Sequence, residues 1–252
     1  MDLQLDQHVL IVTGGSGGVG LATAECLVAE GARVVVSGRT QERVDAAVRR
    51  LGDDRAEGVV ADNADPRTPS RLVAAARTRW RRLDGALISV GGPPAGGSLA
   101  MEDQEWRDSF ESVFLGAVRL LRVVGEELPE GGSLAVVLSS SVRSPLAGLG
   151  ISNGLRPGLA MVAKELADQL GPRGVRVNGL MPARIETDRV LSLDAGAPDP
   201  AAARAAAERS IPLGRYGRPE EFGRVAAFVL SPAASYLSGV MLPVDGGMLR
   251  GL

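Results

Sequence analysis

Short β-branched apolar runs alternate with helical patterns along this chain, and that alternation limits its fold more than any other feature. Residues 9–13, 33–37, 58–61, 86–90, 134–139 and 175–180 read as buried strands. Between them lie helical patterns at 21–30, closed by Gly31, from Thr40 as N-cap with Glu42 nearby, and at 66–82, 105–128 and 152–170. Strand and helix in strict turn imply parallel pairing, because each return to a parallel strand needs a crossover, and crossovers are right-handed. The expected fold is α/β: a doubly wound parallel sheet with helices on both faces. Aromatic residues are only 3% while Ala, Val, Leu and Gly dominate, which suits helices lying close on such a sheet. Nothing divides the chain, so residues 1–252 are read as one domain. The Ala- and Pro-rich stretch 194–209 reads as a mobile loop and short helix, part of a substrate lid around 188–212.

Composition removes several function classes. A net charge of −2 gives no electrostatic case for nucleic acid or an anionic membrane, so neither is expected as a partner. The single cysteine, Cys26, has no partner for a disulfide and reads as a buried, inert thiol. The single histidine, His8, has no companion ligand, which argues against a metal site and against a Ser-His-Asp triad. No signal-peptide pattern or membrane-length apolar run is present, so a cytoplasmic location is expected.

The first strand runs into Thr13-Gly14-Gly15-Ser16-Gly17-Gly18-Val19-Gly20, with a helix following at once. Glycines allow a sharp turn and close approach of the backbone to a pyrophosphate, and the helix N-terminus offers free N–H groups to it. This is the signature of a Rossmann-type dinucleotide site. An NAD site usually places a carboxylate on the adenosine ribose about twenty residues further on. Here the stretch is Ser37-Gly38-Arg39, without an acid. Arg39 can pair with a 2′-phosphate, aided by Ser37, or can simply be solvated. NADP(H) is therefore favoured over NAD(H).

With these features in place, the chain resembles the short-chain dehydrogenase/reductase family over nearly its whole length. Thr13–Gly20 fits the family's TGxxxGxG turn, and Asp62-Asn63 its acid that contacts adenine. Ser89-Val90-Gly91-Gly92 stands for its Asn-Asn-Ala-Gly loop. Residues 176–183 resemble its sixth strand and Pro-Gly turn, with Ala183 replacing glycine. Ile185 and Thr187 fall where it contacts the nicotinamide. Residues 236–239 and 244–247 resemble the segment through which these proteins form dimers and tetramers. The resemblance implies cofactor contacts from Gly14, Ser16, Gly17, Gly18, Val19, Gly20, Arg39, Asp62, Asn63, Gly91, Arg156, Pro182, Ile185 and Thr187. It also implies a homotetramer or homodimer.

The departure lies at the chemistry. The family's Tyr, Lys and Asn align with Ser152, Arg156 and Val113, and its serine with Ser139, although Ser140 and Ser141 are close enough to compete. Ser152 and Arg156 are four residues apart and share one helix face. An aliphatic hydroxyl ionises far less readily than a phenol, and a guanidinium does not relay protons at neutral pH. The string Ser152-Asn153-Gly154-Leu155-Arg156 resembles an atypical branch of the family in which a tyrosine-lacking member reduces conjugated C=C bonds with NADPH. The expected function is an NADP(H)-dependent oxidoreductase with non-standard chemistry, conjugate C=C or carbonyl reduction of a small-molecule or acyl substrate. Ser139, Ser152 and Arg156 are its expected catalytic residues, with Arg184 or Arg143 as candidates for holding an acidic substrate. The alternatives are a cofactor-binding regulatory or scaffolding subunit without turnover, and an ordinary carbonyl reductase working through Ser152.

Overall fold

The computed structural model describes residues 1–251. Seven strands form one sheet in the order β3-β2-β1-β4-β5-β6-β7, every pair parallel. They are β1 (Val9–Val12), β2 (Arg33–Gly38), β3 (Ala56–Val60), β4 (Gly85–Ile88), β5 (Ser133–Val137), β6 (Arg176–Pro182) and β7 (Met241–Val244). Helices α1 (Gly18–Ala29), α2 (Gln41–Leu51), α3 (Thr68–Trp80), α4 (Asp103–Ser109), α5 (Gly116–Glu127), α6 (Gly150–Leu170), α7 (Asp188–Ala195), α8 (Pro200–Ser210) and α9 (Pro219–Leu230) complete the chain.

Strand side chains alternate between two cores, as period-2 geometry requires. Val9, Ile11, Ile88, Val136 and Val177 face α3, α5 and α6, which contribute Leu72, Leu121 and Leu159. Leu10, Val12, Val36, Leu87 and Leu180 face the other way, onto Leu27 of α1, Leu51 of α2 and Phe222 of α9. Both faces of the sheet are thus covered, and the central strands are buried along their whole length. Gly223 lets α9 lie close on α1, since a Cβ there would stand 2.6 Å from the Ala22 carbonyl oxygen. No helix among the described residues is long and apolar enough to cross a membrane.

Several expectations shift. The long helix at 105–128 is α4 and α5 joined through a π-helical segment, Phe110–Leu115. The stretch at 194–209, expected as a loop with a short helix, holds the end of α7, a turn at 196–199 and most of α8. Pro200 at the first turn and the Asp199 carboxylate, which accepts from the Ala202 N–H at 3.0 Å, start α8. Thr40 holds the N-cap position of α2, but its side chain makes no cap hydrogen bond. Helix α9 and strand β7 were not anticipated at all.

Candidate functional site

β1 lies between β2 and β4, so crossovers leave it in opposite directions and a crevice opens beyond its C-terminal end. The turn after β1 is fixed from two sides. Thr13 Oγ1 donates to the Ser89 carbonyl at 2.8 Å and accepts from the Ser89 N–H at 2.9 Å, tying the ends of β1 and β4 together. Gly14 has φ +61, and a Cβ on it would sit 3.0 Å from the same carbonyl. At Gly20 a Cβ would overlap the Gly14 carbonyl oxygen. Helix α1 starts inside this turn, at Gly18, with no side chain capping it. The first backbone hydrogen bond into the turn is donated by Leu21 to Gly17, at 3.1 Å, so the N–H groups of residues 18–20 are left for another acceptor.

The crevice is a cleft of about 720 Å³, within the range of small-molecule and cofactor sites. The residues expected to contact the cofactor and the three expected catalytic residues line it: the Gly14–Gly20 positions named above, Arg39, Asp62, Asn63, Gly91, Ser139, Ser152, Arg156, Pro182, Ile185 and Thr187. At one end Arg39 is exposed and has no carboxylate partner among the described residues. Its neighbour Arg43 reaches past Gly17 to Asp188 across the cleft mouth, at 3.2 Å. Asp62 Oδ1 accepts from the Ala64 N–H at 2.9 Å, and the Asn63 backbone is crossed closely by Gly116.

At the other end the three serines after β5 separate. Ser139 lines the cleft, and its Oγ accepts from the Ser141 N–H at 3.1 Å. Ser141 Oγ shares a hydrogen bond of 3.4 Å with Ser152 Oγ. Ser140 is buried, its hydroxyl without a partner. Asn153 anchors the preceding loop, donating from Nδ2 to the Leu146 carbonyl and accepting the Leu146 N–H at Oδ1. This steadies the first turn of α6, where Ser152 sits.

Arg156, one turn on, is 5% exposed. One terminal nitrogen donates to the Val137 carbonyl at 2.6 Å and the other to the Gly91 carbonyl at 3.4 Å, while Nε has no partner. Burial, and secondarily the charge of Arg189, push its pKa down to about 10, so it stays cationic at neutral pH. Val113 of the π-helical segment is buried and lines the same end.

Arg189, on the first turn of α7, was missed from sequence. Its guanidinium lies against Gly92, where any Cβ would collide with it, and donates to the Pro93 carbonyl. Partial burial lowers its pKa. Nothing in the sequence marks it among so many arginines. Arg184 does not serve as the anion-binding group considered above, because Asp194 accepts from it at 3.2 Å. Arg143 is exposed and is not among the residues lining the cleft. Asp194 also accepts from the Tyr216 hydroxyl at 2.9 Å, which latches the end of α7 to the segment before α9.

The chain is similar in sequence and fold to known proteins. A family model described as enoyl-(acyl carrier protein) reductase matches residues 14–249. The short-chain reductase protein NovJ of Streptomyces niveus is 33% identical over 246 residues, covering 96% of this chain and 94% of that protein. L-sorbose reductase from Gluconobacter frateurii, solved with NADPH and L-sorbose, superposes with a TM-score of 0.93 at 28% identity over all of both chains. A short-chain oxidoreductase from Pseudomonas aeruginosa, described as containing an atypical catalytic centre, gives 0.89 at 26% identity, over 97% of this chain and 98% of that one.

Proposed function

Because this chain belongs to the short-chain dehydrogenase/reductase family and is an oxidoreductase of that type, we propose that it uses NADP(H) in a non-standard active site of the family's atypical branch. One observation carries the reading: the end of the cleft lined by Ser139, Ser152 and Arg156 offers hydroxyls and guanidinium groups, but no phenol, ammonium, imidazole or thiol among the described residues. The two tyrosines are elsewhere, Tyr216 bound to Asp194 and Tyr236 fully exposed. The only lysine, Lys164, is exposed on α6 beside Gly239.

The turn fits a dinucleotide, since the Gly14–Gly20 cradle would be filled by side chains and the N–H groups of residues 18–20 have no partner within the turn. On this reading Arg39 would take a 2′-phosphate, Asp62 and Asn63 the adenosine, and Ile185 and Thr187 the nicotinamide amide, all of which line the one cleft. The reduced cofactor, when bound, supplies a hydride.

Ser152 and Ser141 share one hydrogen bond, so one hydroxyl proton of the pair remains free to point at a substrate oxygen. Ser139 can donate beside it, because among the described residues its Oγ serves as an acceptor, from the Ser141 N–H, and its own proton has no acceptor. Arg156 adds a fixed positive charge that stays protonated. Such a site stabilises negative charge developing on oxygen without protonating it. That suits conjugate reduction, in which hydride adds to the β-carbon, charge gathers on the carbonyl oxygen as an enolate, and a solvent proton completes the α-carbon. Reduction of an isolated carbonyl demands a proton at that oxygen, which Ser152 yields far less readily than a phenol.

Steady-state oxidation of NADPH tests this against a panel of small and acyl acceptors, each enone paired with its saturated ketone. Turnover is expected with the enone, little with the ketone, and loss of it in Ser139→Ala and Ser152→Ala. Tight NADPH binding with no oxidation by any acceptor would favour a cofactor-binding subunit instead.

A further inference from the structure

Positive charge in this cleft is distributed unevenly, and the imbalance is greatest where a substrate must sit. Most arginines of the neighbourhood are neutralised: Arg43 by Asp188, Arg184 by Asp194, Arg204 by Glu186 and Glu208. The buried Arg176 gives its donors to the carbonyls of Val229, Leu237 and Ser231. Arg156 and Arg189 differ from all of these. Neither has a carboxylate partner among the described residues, both line the cleft, and Arg156 keeps a buried Nε with no acceptor. Burial first, and then the charge of Arg189, disfavour the charge on Arg156. Two unneutralised guanidinium groups lining one cleft are relieved when an anion enters it.

The acids of the same cleft do not fill that role. Glu105 accepts from the Glu102 N–H at the start of α4, Asp108 from Gln104, and Asp188 from Arg43. Arg189 stands on a lid helix held by the Asp194–Tyr216 latch, and its guanidinium lies against a backbone that only glycine leaves open, one terminal nitrogen donating to the Pro93 carbonyl. A guanidinium anchored through one nitrogen keeps other N–H donors with which to pair an oxyanion.

The geometry points to a carboxylate on the substrate: Arg189, with Arg156 behind it, binds the carboxylate of a small acidic acceptor whose reducible bond lies beside Ser139 and Ser152. The inference rests on the reading of this cleft as the reductase site. Arg189 is a specificity-determining residue in it, and the hydride step is left as described above.

The test uses trans-4-oxopent-2-enoate and its methyl ester, titrated calorimetrically into the protein saturated with NADP+, and separately used as acceptors with NADPH. The acid is expected to bind about tenfold or more tighter than the ester, as one charge-assisted bond implies. Arg189→Gln should bring the acid to the ester's affinity, Arg189→Lys should recover part of the gap, and Arg143→Gln should change nothing. Thermal melting and NADPH affinity of each variant establish that it is folded. Equal affinity for acid and ester, weak binding of both, or a preference that survives Arg189→Gln overturns the inference. Selective, Arg189-dependent binding without NADPH oxidation leaves this inference standing and removes the reductase reading. Oxidation by acid and ester alike does the reverse.

Discussion

Gly17 offers a clean separation between what the fold needs and what a ligand needs. It precedes α1 with φ −179, an extended conformation open to any residue. A Cβ built there meets only the tip of Arg43, at 2.9 Å, and a flexible exposed side chain can move aside. Gly17→Ala therefore has little to cost the free protein. The weaker N-cap preference of alanine is offset by the reduced entropy of its unfolded chain, each below about 1 kcal/mol. Tm should stay within about 2–4 °C of the parent. The bound state is expected to differ, because on the proposed reading a pyrophosphate approaches the N–H groups of residues 18–20 and the added methyl crowds it. Overpacking of that kind costs about 1–3 kcal/mol, or roughly 5- to 150-fold in affinity. Gly20→Ala is the counterpart: its methyl overlaps the Gly14 carbonyl, so it should lower Tm even without ligand. Differential scanning fluorimetry without ligand and NADPH titration by fluorescence read the two quantities independently. A Gly17→Ala protein that binds NADPH as tightly as the parent would refute the assignment of this turn to pyrophosphate.

Further outcomes follow from the site. Arg39→Ala should weaken NADPH about tenfold or more while leaving NADH little changed, since only one of the two carries a 2′-phosphate; equal losses would reassign Arg39. Asp194→Ala strands the buried Tyr216 hydroxyl and frees Arg184, at a cost of about 1–3 kcal/mol. It should also raise KM, because α7 carries Arg189; thermal melts and initial rates check both. Glu221 is held down to about 2 by Arg215, with the Arg218 N–H also bonded to it, against an ordinary 4.5. Its folded pKa is the lower one, so its contribution is full above pH 4.5 and is lost as pH falls toward 2. The Tm gap between parent and Glu221→Gln should accordingly be present at pH 7 and shrink at pH 3.

The strands that form the centre of the sheet were legible because they are buried on both faces and read as unbroken apolar runs, Val9–Val12 and Gly85–Ile88 among them. β7 escaped notice for the opposite reason. It lies at the sheet edge, is only partly buried, and carries Pro243, which is tolerated there but looks like a break. α9 did carry a start signal, Pro219 followed by Glu221 reaching back to the Arg218 N–H at 2.7 Å. The glycine turn and Arg39 could be named from the residues themselves, since a turn after a first strand carries its own signature, while the other expected cleft residues were named through the family resemblance. The latch and Arg189 could not, since Asp194 and Tyr216 are 22 residues apart and Arg189 reaches 96 residues back to Pro93. Their meaning depends on long-range placement that no local pattern encodes.

The π-helical segment Phe110–Leu115 carries a surplus residue inside one wall of the cleft. Its wider turn accommodates a residue that an α-helix spanning the same rise would not. The flanks are therefore in step with each other across it: Leu120, Leu121 and Val124 seat on the sheet, while Glu105, Asp108 and Ser109 line the cleft. Deleting one residue between 110 and 115 would let the helix close in ordinary α register with both flanks still on their present faces. The wall thus tolerates a change of length at the one place where a single codon deletion would meet an existing surplus, and nowhere else along the helix.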